Sequence, residues 1–438
     1  PYLDDALQAP ANHKHFDLYE MGPSTDSKFK PLERIPGLAI GGWFDAGDFD
    51  IETHSHCSVI SSFVDAWEKF GLNRDQTYIS QNERYVDIHR PDGVPDLLQQ
   101  IEHGTLNLVA QVKAVGHPVR GINVPNLYQY HHLGDASTIT DNLPYNPALK
   151  PYESDGKSSG TPDDRWVFTN RNISLDYQTI ASLAAAARAL KNYNDTLADQ
   201  CVFYAKKLWE ENEGKIITTT SVPDLRRNTL ALKLKAAFEL YITTNDKQLK
   251  DFFTKNIWTS LDSNINVSIL TALQASPFMD KKFRDKMKNY VIKWKDQNDK
   301  LLQDNPYGVP IMSRGWGGNH FVINWAIINY YAARDFPEII SKEYTLRGLN
   351  YILGCHPYSN ISFVSAVGVK SKKVAYGNNR ADFTFIAGGV VPGLLFLKPD
   401  FLENKEDWPF FWGENEYVIG TSAAYLFLAA AAQDLILH

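Results

Sequence analysis

Two short stretches of this 438-residue chain set carboxylates among residues that would perturb them. In Gly41-Gly42-Trp43-Phe44-Asp45-Ala46-Gly47-Asp48-Phe49-Asp50, three aspartates fall within six residues, flanked by glycines and aromatic rings. The glycines permit a tight turn that presents side chains from bare backbone. Crowded carboxylates shift one another's pKa, which suits a general base or a cation site. Three readings compete. A calcium loop would need a twelve-residue spacing closed by a Glu, and that spacing is missing. A solvated acidic turn fits poorly with Trp43 and Phe44. In the catalytic reading, Asp48 holds a water, and Asp45 shares that water or restrains Asp48.

Near the other end, Trp408-Pro409-Phe410-Phe411-Trp412-Gly413-Glu414-Asn415-Glu416 runs into an Ala-rich segment with helical character over 417–436. Glu416 is expected at or just before the first turn of that helix, on the rim of the core. A carboxyl among Trp and Phe loses solvent, its pKa rises, and it becomes suited to a general acid. The plain alternative is that Glu414 and Glu416 favour a helix N-terminus. The two clusters complement each other. Cleaving a glycosidic bond takes one carboxylic acid to protonate the leaving oxygen and a second carboxylate to activate water or attack directly; an inverting pair faces across roughly 6.5–9.5 Å.

The elements that must position these groups are mostly helical. Val59, Phe63, Trp67 and Phe70 fall at helical spacing before Gly71. Val94-Pro95-Asp96 is a fitting first turn for a helix to 114. Ser174 precedes an Ala-rich helix over 175–191, and further helices are expected at about 197–212, 226–244, 280–297, 320–334, 338–353 and 417–436. Residues 1–38 read as an irregular lead-in, interrupted by Pro10, Pro23, Pro31 and Pro36. The stretches 116–172, 298–319 and 354–415 read as long loops. Periodicity by itself supports an all-α fold.

The motifs, in their order, resemble glycoside hydrolase family 9. Gly41 to Phe49 is similar to its Gly-Gly-Trp-Tyr-Asp-Ala-Gly-Asp motif, and Asn415-Glu416 to its Asn-Glu motif before the last helix. Between them, Val94-Pro95-Asp96-Leu97-Leu98 with Glu102, Asn305-Pro306-Tyr307-Gly308-Val309-Pro310, Trp316-Gly317-Gly318-Asn319, and Leu353-Gly354-Cys355-His356-Pro357 through Ser362-Phe363-Val364 resemble further family segments. The resemblance covers about residues 39–436. It implies a single (α/α)6 barrel over 1–438, with long loops forming a cleft at one end. It also implies inversion, with Asp48 as base, Asp45 as its partner and Glu416 as acid. Trp43, Trp316, His356, Asn379, Arg380 and Trp412 become the candidates for binding substrate. The chemistry needs no cofactor; family habit allows a structural calcium and an immunoglobulin-like module before Pro1.

Three segments depart from the family pattern. Asn378-Asn379-Arg380 stands where His-His-Arg is usual, so Arg380 keeps its place but a histidine contact is lost. Cys355-His356 replaces Arg-Asn, and Gly420-Thr421-Ser422-Ala423 follows Glu416 in place of Asn-Trp-Asn-Ala. The expected substrate is a β-1,4-linked glucan of cellulose or xyloglucan type, cut internally. An exo-acting glucosidase or glucosaminidase of the same fold, and a catalytically silent carbohydrate-binding protein, are the rivals.

The rest of the composition bounds partners and place. Net charge is −7 with no basic patch, which disfavours nucleic acid. No run of 18 apolar residues suggests a membrane span. Cys57, Cys201 and Cys355 lie far apart, so a disulfide-dependent fold is not expected. His54, His56 and Cys57 could ligate zinc, but packing is the favoured role, and His131-His132 with Asp135 reads as a polar loop. A monomer, secreted or periplasmic or at the cell surface, is expected, with any signal segment upstream of Pro1.

Overall fold

The computed structural model describes residues 6–47, 50–127, 141, 143–213, 229–311, 317–356, 359–373, 386–393, 412–416 and 418–437, without the side chain of Trp412. The chain divides into two compact units, Pro1–Thr243 and Thr244–His438. Helices dominate both, as the periodicity predicts.

The first unit holds α1 (Thr53–Phe70), α2 (Asp96–Val115), α3 (Ile173–Leu190), α4 (Asp195–Asn212) and α5 (Thr229–Thr244). Their ends follow local chemistry. Gly71 closes α1 in the left-handed conformation, φ +59, and donates its N–H to the Trp67 carbonyl. Asn172 caps α3 by accepting from the Ser174 and Leu175 amides, and Asn194 caps α4 through the Leu197 amide. The alanines of α3 let it pack closely on both α1 and α4, so it is buried nearly all round.

A small four-stranded sheet, absent from the sequence reading, stands at the entry to α1. Its order is β1 (Ala6–Gln8), β6 (Arg165–Phe168), β5 (Gly121–Asn123), β2 (Ile51–Glu52), with β1 parallel to β6 and the other pairs antiparallel. Part of the lead-in and part of the 116–172 stretch are thus strands, not irregular chain. At two to four residues each, the strands are too short to show an alternating period. Ala6, Phe29, Ile35, Leu38, Ile51, Val119, Ile122 and Val167 form a core beneath them. A separate hairpin, β3 (Tyr78–Ser80) with β4 (Tyr85–Asp87), links α1 to α2.

The second unit contains α6 (Lys247–Ser263), α7 (Ile265–Ala275), α8 (Lys281–Asp304), α9 (Asn319–Asp335), α10 (Glu343–Ile352), α11 (Trp412–Asn415) and α12 (Ile419–Leu437), with β7 (Ile361–Ser362) parallel to β8 (Lys370–Ser371). The sequence reading assigns nothing to α6 and α7. Yet Leu249, Phe253, Ile257 and Leu261 repeat every fourth residue and are buried, and Asp246 caps the helix through the Gln248 amide. Helix α8 also runs past its expected end at 297. The polar tail looks like loop, but Asn298 is buried. It accepts from Trp325 Nε1 at 2.7 Å and donates to Asn329 Oδ1 at 2.7 Å, tying α8 to α9. The stretch Gly413–Leu437, which includes α12, is long and apolar enough to cross a membrane by length and composition alone. Helix α12 packs on α9 and α10 with Phe427, Leu428, Ala431 and Leu435 buried, as a core helix does.

Candidate active site

The acidic motif lies where the chain enters β2 and then α1, and backbone geometry explains its glycines. Gly41 and Gly42 have φ +56 and +76, a region costly to other residues. A Cβ on Gly41 would collide with the His103 carbonyl of α2, and one on Gly42 would come within 2.7 Å of His56 Cε1. The Gly42 amide donates to that same carbonyl at 2.8 Å. The segment before Trp43 is thereby pressed against α2.

Trp43 is held from several directions. His56 Nε2 lies 2.7 Å from the Trp43 carbonyl and 3.1 Å from its amide. The indole N–H donates to Gln100 Oε1 at 2.9 Å. The ring lies over Gly104, where any Cβ would strike it, with the His56, Phe63 and His103 rings around it. It is half-buried between α1 and α2. Burial pushes His56 down to about 3 and His103 to about 4, so both imidazoles are neutral near pH 7.

Asp45 follows, half-buried, its amide donating to the Asp50 carbonyl at 2.9 Å, which ties these two residues together. Asp50 is buried and accepts the Tyr19 hydroxyl at 2.5 Å. Ile51, next in chain, pairs with Ile122 of β5. Asp48 lies outside the described residues. Tyr19 had no signal in the sequence. Asp50 stands within the motif; its burial is what the sequence could not show.

Glu416 sits between α11 and α12, 7% exposed. That matches the expectation of a carboxyl at the rim of the core, just before the last helix. Two segments, 317–319 and 391–393, converge on the preceding turn. The Gly317 amide donates to the Gly413 carbonyl at 2.7 Å, and Gly393 to the Glu414 carbonyl at 3.2 Å. Asn319, first residue of α9, is fixed through its amide on the Pro392 carbonyl and its Nδ2 on the Val391 carbonyl, both at 2.8 Å. A Cβ on Gly317 would lie 2.5 Å from the Pro392 oxygen. The Trp-Gly-Gly-Asn motif therefore shapes the backbone beside Glu416. Trp316, Asn379 and Arg380 lie outside the described residues, as do the Trp412 side chain and His131-His132.

His356 is buried, its Nε2 on the Tyr351 carbonyl at 2.9 Å and its ring among Tyr307, Tyr351 and Phe363. It borders a cavity of about 590 Å³ with Tyr307, Arg347, Asn350 and Cys355. The zinc alternative at α1 finds no support: His54 meets Glu52 at 3.3 Å, His56 turns to Trp43, and Cys57 faces Thr179 of α3. Among the described residues no three His, Cys, Asp or Glu side chains are arranged to hold a metal, and no step below passes through one.

Residues 31–381 match the family model described as Glycosyl hydrolase family 9. No curated protein matches the sequence. Solved structures do. A metagenome-derived glycoside hydrolase family 9 endoglucanase aligns at 17% identity and TM-score 0.67, covering 96% of this chain and 77% of its own. A family 9 protein of Bacteroides ovatus aligns at 18% and 0.68, covering 99% and 76%. The endoglucanase of the termite Nasutitermes takasagoensis aligns at 17% and 0.63, covering 90% and 88%. This likeness shows the (α/α)6 barrel fold.

Proposed function

From the premise that this chain belongs to glycosyl hydrolase family 9, we propose that it cuts internal β-1,4 bonds of a glucan with inversion. Asp48 acts as general base, Asp45 shares its water, and Glu416 acts as general acid. The observation that carries the reading is the pairing of the family match, which includes the Asp45–Asp50 segment, with a buried Glu416 held just ahead of the last helix. The match ends at residue 381, so the role of Glu416 rests on the Asn415-Glu416 motif and on its burial.

The residues divide the work as the chemistry demands. A base must stay ionised to take a proton from water, and the hydrogen-bonded backbone at Asp45 offers polar company for that. An acid must hold its proton until the leaving oxygen departs, and Glu416 is buried just ahead of the last helix. The family match spans residues of both units, which supports reading the chain as a single family domain. The polymeric substrate fits a secreted or surface location.

Product configuration tests the mechanism. Freshly cleaved cello-oligosaccharide or xyloglucan, followed by proton NMR, should give the α-anomer first; a β-anomer appearing first refutes inversion. Glu416→Gln should keep activity on aryl glucosides with good leaving groups while losing cleavage of natural glucan, whereas Asp48→Asn should lose both, by about 10²–10⁴.

A further inference from the structure

Tyr19 lies in the lead-in segment, far from the acidic motif in sequence, yet its hydroxyl ends on the buried carboxylate of Asp50 at 2.5 Å. Its ring is fixed before it reaches that carboxylate. One face stacks on Phe168 of β6, centroids 5.0 Å apart, and an edge meets His15 at 5.9 Å. Gly121 of β5 leaves the remaining room, since a Cβ there would collide with the Tyr19 ring. Ala9, Tyr19, Met21 and Phe168 make a small core of their own. Burial, with the Asp50 carboxylate second, pushes the Tyr19 hydroxyl well above 10, so it remains a donor throughout the working pH range.

Asp50 in turn holds Asp45, through its carbonyl and the Asp45 amide at 2.9 Å. We propose that Tyr19 is a positioning residue for the reaction: by anchoring Asp50 it fixes the carbonyl that receives the Asp45 amide, and with it Asp45, which shares the base's water. Tyr19 touches no reacting atom; it acts through Asp50. The proposal rests on the catalytic reading above. Its physical basis is that a reactive group displaced by about 1 Å can lose about a hundredfold in rate, while the fold that holds it survives.

The test is steady-state kinetics with thermal unfolding, on whichever of cello-oligosaccharide, carboxymethylcellulose and xyloglucan the wild type cuts fastest. Tyr19→Phe removes one oxygen and should lower kcat by about ten- to a hundredfold, leaving KM within about twofold. Asp50→Asn keeps an acceptor for the phenol and should hold kcat within a few-fold of wild type. A structural role alone would not split kcat from KM in this way. Should Tyr19→Phe fail to fold, Asp50→Ala, which keeps the phenol and removes its acceptor, must reproduce the kcat loss. Wild-type kcat in either variant, alongside an inactive Asp45→Asn, overturns the positioning role. Asp50→Asn as inactive as Asp45→Asn overturns it too, because Asp50 would then be a reacting group. Full activity of Asp45→Asn instead removes the catalytic reading itself.

Discussion

His56 offers a measurable link between the acidic motif and pH. It is fully buried and holds the Trp43 backbone, and burial brings its pKa to about 3 from 6.5. The folded state therefore resists protonation that the unfolded chain accepts. Between about pH 3 and 6.5 the unfolded state binds more protons, so stability falls as pH falls. Integrating from about pH 7.5 to 4.5 gives a loss of about 2.7 kcal/mol from this one residue, almost unchanged if the folded value is one unit higher. At about 2.1 cal/mol/K per residue, that is about 3–5 °C in Tm, the range spanning unfolding of the whole chain or of the first unit. His56→Gln places an amide nitrogen at similar reach for the Trp43 carbonyl and cannot titrate. Calorimetry at the two pH values should show wild type losing about 3–5 °C more than His56→Gln. Every other carboxylate and histidine contributes to both proteins and cancels in the difference. Equal losses would refute a buried, neutral His56.

Further outcomes follow from the same geometry. Gly42→Ala must hold φ +76 and press on His56, which should cost about 1–3 kcal/mol in urea unfolding and lower kcat as the turn shifts. Asn298→Ala leaves Trp325 Nε1 without its acceptor in a buried site, costing about 1–3 kcal/mol by the same assay, with little change in KM. Phe253→Ala, at the centre of the α6 stripe, should cost about 3–5 kcal/mol; a loss under about 1 kcal/mol would place α6 outside the core.

The acidic and Asn-Glu motifs were readable because they are local: glycine conformation, charge crowding and a helix start each operate over fewer than ten residues. The glycines at 41 and 42 are required by positive φ and by contact with α2, a demand that any Gly-Gly before a crowded turn announces. What the sequence hid is tertiary in origin. Ala6–Gln8 is a strand because Arg165–Val167 lies beside it, and no pattern within three residues can say so. Asn298 belongs to a helix because Trp325 and Asn329 satisfy its amide inside the core, and in isolation the same residue argues for a loop. Tyr19 combines both failures, a residue in seemingly irregular chain whose hydroxyl has a partner 31 positions away. Helix α6 is the exception that sharpens the rule. Its capping Asp246 and four-residue stripe are local and legible in the sequence, whereas the sheet and the Tyr19–Asp50 contact exist only in the folded chain. The division falls between groups whose environment is set by their neighbours in sequence and those whose environment is set by neighbours in space. A catalytic carboxylate needs both kinds: the motif supplies the charge, and the distant segment holds it where the water will be.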